Sequence, residues 1–103
     1  MAVEDGAVLG ALFSSVTEPK RIPSILQTFE ELRKPRTTKV VQGSIEQGRM
    51  CKLPDGHEQR ERDQWFAIPD LEEYPLHFAS PSFRDFLLGY DAYAEVERLR
   101  AAR

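Results

Sequence analysis

The stretch MAVEDGAVLGALFSSV, residues 1–16, is apolar on nearly every side when wound as a helix. It contains no proline, and Leu9, Leu12, Phe13 and Val16 recur at helical spacing. Its charged side chains, Glu4 and Asp5, sit in the first turn, where acidic groups stabilise the positive end of a helix. Gly6 and Gly10 lie four apart on one face, after Ala2. A glycine inside a helix costs about 1 kcal/mol relative to alanine, which close packing of a second backbone offsets. A helix apolar nearly all round needs cover on several sides. The remainder of the chain reads as too small and too polar to give that cover. The expectation is a helix over 2–16 that belongs to the last part of something larger. Its face around Leu9, Leu12, Phe13 and Val16 is expected to be poorly covered by this chain, or covered by a second copy.

Outward from this stretch, TEPKRIP at 17–23 reads as a connector, with Pro23 suited to the first turn of the next helix. Ile22, Ile25, Leu26, Phe29 and Leu32 then mark one face, and Glu30, Glu31, Arg33 and Lys34 the other. Pro35 is expected to end or kink this helix near Lys34, because it lacks an N–H and crowds the preceding turn. A second run over 36–50 carries Val40, Val41 and Ile45 and is weakened by Gly43 and Gly48. LPDG at 53–56 is a turn by composition. A polar helix is expected over 57–66, irregular chain over 67–81, and a last helix over 82–102 with Phe83, Phe86, Leu87, Tyr90, Tyr93, Ala94, Val96 and Leu99 on its apolar side. No stretch alternates as a strand does. The expected fold class is mainly α. The chain is expected to form a single helical segment over 1–103, with a helix and a kinked helix pair in 1–52 and a loop-rich region and terminal helix in 53–103.

The composition, 41% hydrophobic and 30% charged over 103 residues, is that of a small folded domain rather than a disordered chain. A net charge of −3 offers no basic field for nucleic acid. The cluster Arg33, Lys34, Arg36 and Lys39 reads as a solvated helix face. With no targeting signal and no long apolar run, no membrane partner is expected and the default location is cytoplasmic.

Side chains that could carry chemistry are few. Cys51 is the lone cysteine, beside Lys52, and reads as a free thiol. His57 and His77 are single and far apart, and read as surface or satisfied histidines. Gly6 to Gly10 lies within a helical pattern, so its amides are used by the helix rather than offered to a phosphate. Tyr90 reads as a core tyrosine with its hydroxyl at the rim, near Asp91. The residues alone therefore indicate no catalytic set and no metal site.

Four segments resemble the FAD-dependent aromatic monooxygenases, in particular the fungal salicylate hydroxylase-like group. MAVEDGAVLGALF is similar to a family helix reading Met-x-x-Glu-Asp-x-x-x-Leu, matched by Met1, Glu4, Asp5 and Leu9. FEELRKPRTTKVVQGS, from Phe29 to Ser44, is similar to the family's Tyr/Phe-Glu-x-x-Arg-x-Pro-Arg segment, with Glu30 or Glu31, Arg33, Pro35 and Arg36 in place. LPDGHEQRERD, from Leu53 to Asp63, resembles a Leu-Pro-Asp-Gly-Pro-Glu-Gln run, with His57 where proline is common. LLGYDAYAEVE, from Leu87 to Glu97, resembles the Leu-Tyr-Gly-Tyr-Asp-Ala ending, with Leu88 in place of the aromatic.

The resemblance implies the helical C-terminal part of such an enzyme, without its Rossmann-type FAD-binding core or its substrate-binding sheet. In an intact family member the flavin, reduced by NAD(P)H, uses oxygen to hydroxylate an aromatic substrate. The helix start here lies by resemblance at the pyrimidine end of the flavin. Backbone atoms of Met1 and Ala2 are the implied cofactor-binding groups, and only in an intact enzyme. The implied partners are a missing N-terminal FAD-binding portion, a full-length homologue or a second copy, and the isolated chain is expected to be inactive and to bind no FAD. The alternative is a free-standing helical protein of monooxygenase descent, acting as a binding module, an enzyme partner or a small pathway catalyst.

Overall fold

Apolar periodicity and proline placement resolve into five helices in the computed structural model, which describes residues 1–102. They are α1 (Ala2–Phe13), α2 (Ile22–Cys51), α3 (His57–Phe66), α4 (Pro81–Leu88) and α5 (Ala92–Ala101). Single 3-10 turns lie at Pro19–Arg21 and His77–Ala79, and no strand occurs among the described residues. None of these helices is long and apolar enough to cross a membrane.

Three boundaries differ from the sequence reading. α1 stops at Phe13 rather than continuing to 16, because the Ser14 hydroxyl donates to the Ala11 carbonyl at 2.7 Å and draws the chain out of helical bonding. α2 runs unbroken through Pro35, where two helices were expected. The carbonyl that Pro35 leaves without its usual donor belongs to Glu31, and both residues are exposed, so water can satisfy it. The last run breaks at residues 89–91 into α4 and α5. Asp91 caps α5 there, its Oδ1 accepting from the Tyr93 and Ala94 amides at 3.0 Å.

The chain forms two compact units, with the division inside α2. The first holds Met1–Thr38 and the chain from Asp91 onward. Its core is Val8, Leu12 and Val96, with Val8 and Val96 fully buried. Ile25, Phe29 and Leu32 of α2, together with Ala92 and Leu99 of α5, pack around them. This corrects the expectation that the chain cannot cover α1: α5 returns and closes its inner face. Val8, rather than Leu9, leads that face, while Leu9, Phe13 and Val16 are half-buried. The opposite face stays open. Val3 is 87% exposed, and a Cβ on Gly6 or Gly10 would meet nothing within 4 Å. The close backbone approach expected at these glycines is absent among the described residues.

The second unit, Lys39–Tyr90, gathers around Phe83. Phe78 meets that ring edge-on at 5.3 Å between centroids, and His77 and Phe86 lie at 5.2 and 5.9 Å. Gly43 explains its own place in α2, since a Cβ there would lie 3.0 Å from Phe83 Cζ. The expected irregular chain is pinned by buried Ser80, whose hydroxyl accepts from the Tyr74 amide at 2.7 Å, and by the Tyr74 hydroxyl, which donates to the Ile68 carbonyl at 2.7 Å. At the end of α2, Arg62 donates to the Met50 carbonyl at 2.7 Å and satisfies an acceptor that the helix leaves open.

These environments set opposite outcomes for two neighbouring substitutions. Leu12→Ala empties a packed site and is expected to cost about 2–4 kcal/mol in urea unfolding. Gly10→Ala fills open space with a better helix former and is expected to raise stability by about 0.5–1 kcal/mol in the same measurement.

Candidate functional site

The start of α1 is where the sequence placed a cofactor contact, and its construction depends on α2. Met1 precedes the helix, and its carbonyl accepts the first helical bond, from the Asp5 amide at 2.9 Å. Ala2, Val3 and Glu4 carry the first amides of α1, which make no intrahelical bond. The Met1 side chain provides no cap. Glu4 and Asp5, which would ordinarily lie along this positive end, are drawn to α2 instead. Arg33 Nε donates to Asp5 Oδ1 at 2.6 Å, and its Nη2 donates to Glu4 Oε2 at 3.0 Å. Arg36 takes Glu4 in a two-pronged pair, Nε to Oε2 and Nη2 to Oε1, both at 2.8 Å.

Arg33 and Arg36 are 3% and 7% exposed, which corrects their reading as part of a solvated face. Lys34 and Lys39 do remain exposed. The residues at 33 and 36 are three apart and share one side of α2. Two acids adjacent on another helix are their natural complement, and that pairing is the signal the composition-level reading missed. The arrangement holds two guanidiniums against two carboxylates, so it is close to neutral. It fixes the angle of the helix start while leaving its amides without side-chain partners.

The Arg36 guanidinium holds the Glu4 carboxyl down to about 2. Burial acts against that shift, and Arg33 adds to it. Below its ordinary value near 4.5 the unfolded chain binds a proton at Glu4 that the folded chain refuses. The pair's stabilisation is therefore complete above about 4.5 and is lost as pH falls toward about 2.

The other candidates of the sequence are dispersed. His57 is a surface residue 3.8 Å from Glu61, while His77 is half-buried against Phe83. Cys51 is exposed, with Gln47 Nε2 3.7 Å from its sulfur. Asp91 serves as a helix cap. Among the described residues, no three His, Cys, Asp or Glu side chains are grouped to hold a metal ion.

Over 98 residues, 93% of its own length, the chain is 39% identical to the FAD-dependent monooxygenase OpS4 of Beauveria bassiana (strain ARSEF 2860). It spans 23% of the length of that curated relative. The resemblance to FAD-dependent monooxygenases read from the four motifs is borne out, and the matching region is a helical part of a larger protein. No protein-family model matches the chain, and no solved structure matches it.

The acid limb of stability reports on the arginine pair. Unfolding followed by circular dichroism is expected to show stability falling from about pH 4.5 toward pH 2, and Glu4→Gln is expected to lower stability at pH 7 and flatten that fall.

Proposed function

We propose that this chain supplies the flavin-facing helix of a FAD-dependent, NAD(P)H-using aromatic hydroxylase of the salicylate type, and is inactive alone. The observation that carries this reading is the start of α1. Its first amides lack intrahelical partners, and Arg33 and Arg36 hold the nearby carboxylates away from it. A helix start of this kind suits the electron-rich pyrimidine end of a flavin. The similarity to a FAD-dependent monooxygenase supports the same cofactor.

The division of labour follows from what these residues can do. Backbone atoms of Met1 and Ala2 would bind and orient one edge of the cofactor in an intact enzyme. Arg33 and Arg36 would act through Glu4 and Asp5 as positioning residues that set the direction of α1. Bound FAD would supply the redox chemistry of hydroxylation. Within residues 1–52, it is α1 that would form the flavin-proximal part in this reading. The open face of α1 at Val3, Gly6 and Gly10 is where an N-terminal FAD-binding portion, or the matching surface of a full-length homologue, would lie.

A second reading has its own observation. Because α5 buries the inner face of α1, the first unit has a core without help from another chain. That favours a free-standing helical protein of monooxygenase descent acting as a binding module.

The energetics of the cofactor separate isolated chain from assembly. One exposed helix terminus contributes about 0.3–1 kcal/mol toward a nearby charge, whereas micromolar affinity needs about 8 kcal/mol. Purified chain is expected to be colourless and to show no saturable FAD binding at micromolar concentration in a flavin-fluorescence titration. Mixing it with an OpS4-type chain lacking the matched region is expected to restore FAD-dependent NAD(P)H oxidation. A stoichiometric yellow complex of the isolated chain, or no gain on mixing, would sink the proposal.

A further inference from the structure

The second unit contains a cavity of about 310 Å³ that the flavin reading does not use. Its volume is at the lower end for small-molecule sites. Phe83, His77 and Tyr74 give it aromatic walls. Lys39 and Glu73 line it as well, and among the described residues neither forms an ion pair with the other or with any other group. The Lys39 ammonium instead rests 3.9 Å from the centre of the Phe86 ring, held against the aromatic cluster by a cation–π contact. An aromatic lining with an unpaired cation and an unpaired anion matches a flat ligand that carries both signs of charge.

We infer that this cavity binds the zwitterion of an aromatic α-amino acid, with its carboxylate on Lys39, its ammonium on Glu73 and its ring against Phe83 and His77. The cavity's own composition selects among anions. Lys39 is the permanent cation of its lining, and Glu73 in the same lining repels a second negative charge, so a phosphate dianion is disfavoured. A simple carboxylate would meet only Lys39 and a simple amine only Glu73, whereas the zwitterion meets both. The Ser82 hydroxyl, whose bond to the Glu72 carbonyl is a long 3.4 Å, is available to turn toward the bound carboxylate. Gly43 sustains the site, because a Cβ there would crowd the Phe83 ring at 3.0 Å.

The test uses the whole chain at pH 7 and low salt, with L-phenylalanine titrated against protein in NMR or calorimetry. Saturable binding is expected, weakened roughly tenfold for 3-phenylpropionate, which lacks the ammonium, and roughly tenfold for phenethylamine, which lacks the carboxylate. Lys39→Gln is expected to weaken L-phenylalanine and 3-phenylpropionate roughly tenfold while leaving phenethylamine unchanged, and Glu73→Gln is expected to do the converse. Both positions are exposed, so circular dichroism of the variants is expected to match that of the parent. Failure of L-phenylalanine to saturate overturns the inference. So does equal binding of phenylalanine and 3-phenylpropionate, or indifference of all three ligands to both substitutions.

Discussion

The pairing of Glu4 and Asp5 with Arg33 and Arg36 is the constraint on which the first unit depends. It joins α1 to the middle of α2, on both sides of Pro35, with the two guanidiniums almost wholly inside. Buried ion pairs contribute little net energy when complete, because desolvation offsets attraction. Their force lies in what their loss exposes. With one partner removed, a charge would remain in a site built for two, so the geometry is strongly preferred over its alternatives. The direction of α1 is thus set by side chains rather than by the loop that follows it.

Hydrophobic packing completes what the ions begin. Val8 and Leu12 lie one turn apart on the side of α1 that meets Val96. α5, which supplies Val96, starts at the Asp91 cap. The Asp91 carboxylate, by capping two amides, fixes where the helix that carries Val96 begins.

Much of this architecture is legible in the sequence, and what is not has identifiable physical causes. Helix content follows from the apolar spacing and the placement of most prolines. Pro35 misleads because the cost of a proline depends on whether water can reach the carbonyl it leaves, and sequence does not display exposure. Val8 was overlooked beside larger neighbours because periodicity gives a face but not its centre. The burial of Arg33 and Arg36 depends on two acids about thirty positions away, beyond the range of any local pattern. Conversely, the bare amides at the start of α1 follow directly from helix geometry, and the family resemblance was carried by short motifs whose order mattered more than any one of them.

Gly43 and Phe83 show how an absence can be specific. The ring edge lies 3.0 Å from where a β-carbon would stand, closer than an ordinary contact. Neither position can vary freely while the other stays as it is. Among related chains the two sites should covary as a unit, with a larger residue at 43 accompanied by a smaller one at 83. The aromatic cluster thus rests on a bare stretch of α2, and a lineage that adds a side chain at 43 must let the Phe83 ring shift by a few tenths of an ångström.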